Sequence, residues 1–299
     1  MDRSRRKYFI WQWNCRGFGK KRGNLQQYIN HKEEGDRPDV VAPQEPKRLA
    51  KLSGYKSYGK GALDKTLVTT MVKRNIPFIE HETGISTVDH VLIEIISHEK
   101  KDRRSIFVLN VYSSPSKRLR FASLLKATTY IAKGQTLLVA GDFNAPHPDW
   151  GYQVERIKGR NLWNDSHEYG LSLITDPDQP TRRGNHRNQD TTPDHTFVKG
   201  TEDALWFNTW EDLGSDHFVL CITTAAGPAK PKGKRCKITE WDAFREILEE
   251  YGTEDIVIIE EWSESLRAAA EWAIKVVPEE ANVEPRQQKI LCQHWSQHG

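Results

Sequence analysis

Up to Thr224 the apolar residues fall in short runs rich in β-branched and aromatic side chains, separated by turn-forming or charged residues. The runs are Tyr8 to Trp13, Val40 to Ala42, Leu67 to Val72, His90 to Ile96, Ile106 to Tyr112, Leu137 to Ala140, Leu171 to Thr175, His195 to Val198, Leu205 to Trp210 and Phe218 to Thr223. Runs of this length and composition predict strands. Two segments repeat at helical spacing: Lys117 to Ala132, with Leu119, Ala122, Leu125 and Thr129 on one face, and Gly159 to Tyr169. Many strands with few helices predict an α/β protein, a four-layer sandwich of two packed, mostly antiparallel β-sheets flanked by helices. There is no internal repeat, which excludes solenoids and propellers.

The pattern changes after Thr224. Residues 225–236 hold Gly227, Pro228, Lys230, Pro231, Lys232, Gly233, Lys234 and Arg235 without apolar periodicity, and read as a basic Pro/Gly linker. The same basic cluster also fits a nuclear-import signal. Residues 237–299 turn helical: Thr239 caps a helix with Trp241, Phe244, Leu248 and Tyr251 on one face. A second helix is expected from about Asp255 to Val277, ended by Pro278, with the signal fading beyond Glu279. The expected organisation is thus a domain over 1–224, a linker, and a helical tail.

Charge divides at the same place. Residues 237–299 carry 6 Lys and Arg against 14 Asp and Glu, which leaves 38 against 27 in residues 1–236, so a basic body precedes an acidic tail. That asymmetry suits a polyanion-binding domain with an appendage. With 37% hydrophobic and 28% charged residues, the 299-residue chain lies outside the collagenous and disordered classes. No apolar run approaches the ~20 residues of a membrane span, because Glu94 and Glu260 interrupt the best ones. The apolar stretch behind the basic N-terminus is too short and aromatic for a signal peptide. A soluble protein of the nucleus or cytoplasm, with no membrane partner, is expected. Cys15, Cys221, Cys236 and Cys292 have neither disulfide-framework nor zinc spacing.

Polar residues with chemical potential stand where strands end. Asn14 precedes the turn Arg16-Gly17, Gln44-Glu45 follow Ala42, and Tyr112 closes the run from Ile106. Asp142 and Asn144 follow Leu137 to Gly141, Asp194 opens another strand, and Ser215-Asp216-His217 lead into the last one. Singly, each is an ordinary turn former, cap or core residue.

Together they form an ordered set. Trp13-Asn14-Cys15-Arg16-Gly17, Pro43-Gln44-Glu45, Asn110-Val111-Tyr112-Ser113, Gly141-Asp142-Phe143-Asn144, Pro193-Asp194 and Gly214-Ser215-Asp216-His217 resemble, in order, the motifs of the endonuclease/exonuclease/phosphatase (DNase I-like) superfamily, which includes pancreatic-type deoxyribonucleases and apurinic endonucleases. Within it the chain looks most like the endonuclease domain of non-LTR retrotransposons. The extension Gly141 to Gly151 resembles that group's nuclease loop, Gln179-Pro180-Thr181 also matches, and Ile238 to Arg245 is similar to the connector before a reverse transcriptase. No polymerase motif is present. The acidic tail is then expected to be the start of a lost reverse-transcriptase module, or else a partner-binding or self-associating helical pair.

The resemblance implies a metal-dependent phosphodiester hydrolase that nicks DNA and leaves a 3′-hydroxyl to prime reverse transcription. It implies Mg²⁺, with Mn²⁺ as substitute, held by Glu45 and Asn14 with Asp216 as a further ligand, since magnesium takes oxygen ligands and few protein carboxylates. Asp142 would deprotonate the attacking water and Asn144 would donate to water or phosphate. His217 would bind the scissile phosphate, Asp194 would orient and charge its imidazole, and Tyr112 would donate its hydroxyl. Thr181 and Ser215 would assist, and Arg16, Arg182 and Arg183 would contact substrate. Lys20, Lys21 and Arg22, and Arg187 beyond Arg183, extend these into candidate phosphate grooves, and the basic body favours DNA as the partner. A phosphatase or RNase on the same scaffold, and a catalytically dead DNA-binding remnant, are the rival readings. Two residues depart from the pattern: Pro43, which cannot donate to a sheet ladder, and His195, a titratable group at a core position.

Overall fold

The computed structural model describes residues 6–60, 65–96, 105–184, 189–225, 235–239, 242, 244–246, 263–264, 266–268 and 274–278. Each of two sheets is organised around one parallel pair of strands. In the first, β1 (Lys7–Asn14) lies parallel to β2 (Val40–Lys47), and between them in sequence runs α1 (Arg22–His31). In the second, β7 (Ser105–Tyr112) lies parallel to β8 (Thr136–Asp142), joined through α2 (Ala122–Ala132). Parallel neighbours need such a crossover, because a tight turn reverses the chain.

Antiparallel strands complete both sheets. β3 (Tyr55–Lys60), β4 (Thr66–Lys73), β11 (Leu205–Asn208) and β12 (Leu220–Ala225) give the first sheet the order β11-β12-β1-β2-β4-β3. β5 (Phe78–His81), β6 (Asp89–Ile96), β9 (Ser172–Leu173) and β10 (Asp194–Lys199) give the second the order β5-β6-β7-β8-β10-β9. A third helix, α3 (Ile157–Glu168), precedes β9.

Alternation along the central strands explains the layers. Tyr8 and Ile10 of β1 and Ile106, Val108 and Tyr112 of β7 belong to the core between the sheets. The intervening Trp11 and Trp13 pack in the cluster that includes Leu25 and Ile29 of α1. Phe107, Leu109 and Val111 pack with Leu124 and Leu125 of α2 and Leu162 of α3. Both faces of these strands are covered, so they read as continuous apolar runs, and the expected four-layer α/β sandwich is the observed fold. Gly141 lies at such a crowded point, since a Cβ there would stand 2.0 Å from the carbonyl oxygen of its β7 neighbour Val111.

Toward the carboxyl ends of the parallel pairs the inter-sheet layer becomes polar. Gln12 Oε1 accepts from Thr196 Oγ1 at 3.0 Å, and Gln44 Nε2 donates to Asn110 Oδ1 at 2.6 Å. Buried amides need such partners, and these tie the two sheets where the site begins.

Several elements differ from the expectation. The sequence does not announce α1, whose apolar spacing is only Leu25, Tyr28 and Ile29 among polar residues, nor β3 and β5. Both strands are sheet edges, where a half-polar strand such as Tyr55–Lys60 suffices. Helix α2 begins at Ala122, not Lys117. β2 runs through Pro43 to Lys47, well beyond Ala42.

The chain divides into two compact units, Met1–Lys230 and Pro231–Gly299. In the second, β13 (Arg235–Thr239) pairs antiparallel with β14 (Ile274–Pro278). This corrects the expected helix to Val277: β-branched Ile274, Val276 and Val277 take strand geometry opposite Cys236 to Thr239. Asp242, Phe244 to Glu246, Ser263-Glu264 and Leu266 to Ala268 are helical. Most of the expected linker, 226–234, and Trp241, Leu248, Tyr251 and Arg187 lie outside the described residues. No helix among the described residues is long and apolar enough to cross a membrane.

Candidate active site

Near the carboxyl ends of β1, β2, β7 and β8, the side chains of Asn14, Glu45, Tyr112 and Asp142 come to one place. Asn14 is fully buried, and its Nδ2 donates both to Glu45 Oε1 at 2.9 Å and to Asp142 Oδ2 at 2.7 Å. Its Oδ1 accepts from the backbone N–H of Arg16 at 3.0 Å, so the amide nitrogen is the end turned to the two carboxylates.

Glu45 reaches this position through a bulge. The β2–β4 pairing steps from Gln44↔Val68 to Lys47↔Thr66, one extra residue on β2, with Glu45 at φ 49 and Lys47 at φ 68. A bulge bends its strand and re-aims side chains, here from the sheet toward Asn14. Pro43 stands level with Thr69 in this ladder, and the Thr69 carbonyl accepts from Asn110 Nδ2 at 2.8 Å. The missing proline donor is therefore replaced by a side chain from the other sheet, and the departure at Pro43 leaves the strand intact.

Asp142 closes β8 with its carboxylate 1% exposed. Oδ1 accepts from Asn144 Nδ2 at 2.6 Å and from the Asn144 backbone at 3.2 Å, and Asn144 takes φ 46 to do so. Opposite, β10 begins at Asp194, whose Oδ2 accepts from His217 Nδ1 at 2.7 Å and from Thr181 Oγ1 at 2.8 Å. With Nδ1 committed to a carboxylate, Nε2 is the imidazole nitrogen left for a ligand. Asp142, Asp194 and His217 each offer an atom within 4.8 Å of the others.

The remaining expected residues frame this cluster. Ser215 Oγ donates to the Asn14 carbonyl at 2.7 Å and accepts from the His217 N–H at 3.3 Å, which ties the His217 loop to β1. Thr181 is fully buried against Asp194. Asp216 Oδ2 accepts from Arg16 at 2.6 Å and Arg182 at 2.9 Å, so the chain's own guanidinium groups occupy the oxygen that a cation would otherwise use. Arg183 pairs with Asp212 at 2.9 Å and stands further out. Tyr112 lies beside Glu45 and Asp142, whose charges together with burial raise its hydroxyl well above the ordinary phenol range.

Burial sets the electrostatics. It pushes Asp142 up toward neutrality, the Asp194 charge adds to this, and His217 and Asn14 oppose it. For His217 burial lowers the pKa, but the carboxylates of Asp194, Asp142 and Asp216 together outweigh it and the result is about 9. At neutral pH the imidazole is therefore a cation beside a carboxylate poised to exchange a proton.

Two contributors escape sequence reading. Lys158, in the first turn of α3 and only 7% exposed, donates to Ser113 Oγ at 3.0 Å and to the Ser114 carbonyl at 2.9 Å. The Ser113 carbonyl in turn accepts from Asn144. Tyr152 lies within the field of Asp142 and Asp194, and its hydroxyl bonds Thr191. Neither has a recognisable spacing signal; only the packing of the nuclease loop onto β7 and β8 brings them in.

The donor set fits a hard divalent cation. Glu45 and Asp142 converge on one small amide, and Asp194 Oδ1 is buried with no hydrogen-bond partner among the described residues. Negative charge held this close in a dry site calls for a cation, and oxygen donors suit Mg²⁺ or Mn²⁺ over soft metals. Beside Asn14 and Glu45 opens a cavity of about 820 Å³ lined by Arg16, Lys20, Lys21, Arg22, Lys47 and Arg48, with no acidic side chain in its wall.

Two six-stranded sheets, helices on both outer faces, and a carboxylate–imidazole cluster where the parallel strands end define the class: the chain has the DNase I-like fold of the endonuclease/exonuclease/phosphatase superfamily. The family model described as Endonuclease-reverse transcriptase matches residues 106–221, which span Tyr112, Asp142, Asn144, Thr181, Asp194 and His217. Among known structures the chain is similar to the endonuclease domain of TRAS1, a telomere-specific non-LTR retrotransposon, at 18% identity and TM-score 0.60 over 75% of this chain and 100% of that one. It is also similar to the AP endonuclease LMAP from Leishmania major, at 14% identity and TM-score 0.59 over 76% of this chain and 90% of that one. No curated protein matches the sequence.

Proposed function

We propose that this chain is a divalent-metal-dependent endonuclease that nicks DNA, leaving a 3′-hydroxyl and a 5′-phosphate, and that it serves a non-LTR retrotransposon. The observation that carries the reading is Asp142 held between the Asn14 amide and the Asp194–His217 pair. A binding module has no use for a buried carboxylate with a raised pKa facing an imidazolium. The basic cavity beside Glu45 supports a polyanionic substrate over a small phosphate ester. The retrotransposon role is supported by the family description and by the TRAS1 likeness.

Glu45, with Asp142 beside it, would hold the metal; Asn14, expected as a ligand, turns its Nδ2 donor to both carboxylates and its Oδ1 to the Arg16 N–H, so it spaces them instead of ligating. When bound it neutralises phosphate charge and stabilises the departing oxygen as a Lewis acid. Asp142, deprotonated, accepts the proton of the attacking water, and Asn144 fixes the carboxylate's orientation through Oδ1. His217, held by Asp194 as a cation, offers Nε2–H to a phosphate oxygen that gains charge in the transition state. The water oxygen forms the new P–O bond, the P–O3′ bond breaks, and the leaving O3′ takes a proton from solvent water to end as the hydroxyl.

The test is conversion of supercoiled plasmid to open circle by the full chain with Mg²⁺ or with EDTA. Nicking that needs the metal and is lost in Asp142→Ala and His217→Ala is the expected result. Intact plasmid beside hydrolysis of phosphoinositides or poly(A) RNA would move the assignment to another phosphoester.

A further inference from the structure

The loop between β11 and β12 holds a side chain that the hydrolytic machinery does not use. Trp210 has φ 60, a left-handed backbone that a bulky residue rarely adopts, and it is 55% exposed. The conformation is fixed from several sides. The Trp210 N–H donates to Asn208 Oδ1 at 2.8 Å, Asn208 Nδ2 donates to the Pro180 carbonyl at 2.8 Å, and the Val219 N–H donates to the Glu211 carbonyl at 2.7 Å. Backbone strain and an exposed indole are both unfavourable, and their coincidence on a rigid loop points to use.

The neighbours indicate the ligand. The indole meets the Phe218 ring edge-on, with centroids 5.5 Å apart, and the Arg183 guanidinium lies 5.4 Å from the same ring's centroid. Phe218 follows His217 directly, and its N–H donates to the Thr181 carbonyl at 2.9 Å. Arg183 follows Arg182, which binds Asp216. A flat apolar ring and a guanidinium plane thus share Phe218, the residue that follows the imidazole assigned to the scissile phosphate. A ligand that satisfies all three is a planar π-system carried on a phosphodiester, that is, a nucleotide within a strand.

We propose that Trp210 and Arg183 form a stacking platform for one nucleobase of the bound strand, next to the scissile phosphate. The proposal rests on the nuclease reading and deepens it, because a base inside a duplex is already stacked on its neighbours. The platform therefore favours DNA whose bases are locally free: single strands, frayed ends or distorted duplexes.

The test uses the full chain in EDTA, with fluorescence anisotropy of two labelled oligomers of equal length, oligothymidylate and a base-free deoxyribose phosphate chain. Trp210→Asn removes the ring with a residue that accepts left-handed backbone; Trp210→Tyr keeps an aromatic. Trp210→Asn is expected to weaken oligothymidylate binding roughly tenfold and to leave the base-free oligomer unaffected, with Trp210→Tyr close to wild type. Equal oligothymidylate affinity in Trp210→Asn and wild type, or an equal loss on both oligomers, would overturn the platform while plasmid nicking by the wild type left the nuclease reading standing. A loss in Trp210→Tyr as large as in Trp210→Asn would also overturn stacking, because an aromatic ring would remain at the position. Wild type that neither binds oligomers nor nicks plasmid would remove both readings.

Discussion

Asn14 Nδ2 donates to Asp142 Oδ2 at 2.7 Å although the two residues end strands of different sheets, 128 positions apart. The same nitrogen donates to Glu45, so one amide spaces two carboxylates and joins the halves of the sandwich. Asn14→Ala removes both bonds and leaves the carboxylates to repel each other across a gap. Nicking rate is expected to fall about a hundredfold, the scale for losing an oriented donor in a dry site. Initial rates on plasmid, with circular dichroism to verify the fold, check this.

The Asp194–His217 pair sets the pH dependence. Nicking is expected to rise with pH as Asp142, raised by burial and by Asp194, loses its proton, and to fall as His217 loses its own near 9. Asp194→Asn takes away the charge that raises both groups. The alkaline limb is then expected to move down toward the ordinary histidine value and the acid limb to move down with it. Rate profiles of wild type and Asp194→Asn decide the matter; limbs that stay in place would dissociate this pair from the chemistry.

How far the site was legible in the sequence depends on what carried each residue. Asn14, Glu45, Tyr112, Asp142, Asp194 and His217 stand at or near the ends of strands that the apolar runs predict, but their assembly into one site was implied by the resemblance to an ordered motif set and not by the runs themselves. The bulge that turns Glu45 inward was not legible, because it lies in the pairing of β2 with β4. Nor was the answer to Pro43: the Thr69 carbonyl finds its donor in Asn110, which belongs to the other sheet. The edge strands β3 and β5 and helix α1 bury too little apolar surface to leave a period in the sequence. The β13–β14 pair overrode a helical pattern by tertiary pairing, which local spacing does not encode.

Lys158 is where burial and use can be separated. A cation in the first turn of a helix opposes the helix dipole, and burial lowers this one to about 8, partly offset by Asp142. Lys158→Met replaces it with an apolar chain of similar length and is expected to leave stability unchanged or raise it. The folded state holds the proton less tightly than the unfolded one, so any stability gain should be full below pH 8 and shrink as pH rises toward 10.5. Nicking should nonetheless drop about tenfold in kcat, because Ser113 loses the anchor of the segment that accepts from Asn144. Lys158→Arg should recover part of it. Thermal melts and steady-state kinetics on the three proteins provide the comparison, and a kcat unchanged in Lys158→Met would confine Lys158 to packing.

His195 makes the opposite case, a polar side chain that the fold carries at a cost. It is fully buried among Phe143, Trp150 and Phe197, and neither ring nitrogen has a hydrogen-bond partner among the described residues. Burial holds it at about 3, so it stays neutral in the folded protein where the unfolded chain would protonate near 6.5. A depressed folded pKa gives stability that is present above 6.5 and lost as pH falls, by about 1.4 kcal/mol per unit down to the folded value. His195→Leu fills a similar volume without an unpaired N–H, whose burial costs about 1–3 kcal/mol, while giving up ring contacts with the three aromatic neighbours. The variant should therefore be at least as stable as wild type at pH 7. Its advantage should grow by about 2 kcal/mol by pH 5, since it no longer has a histidine to protonate on unfolding. Guanidinium unfolding of both proteins at the two pH values measures the difference directly. A constant gap would mean that His195 finds a proton partner in solution, and that the aromatic pocket beneath Asp194 is wetter than its packing indicates.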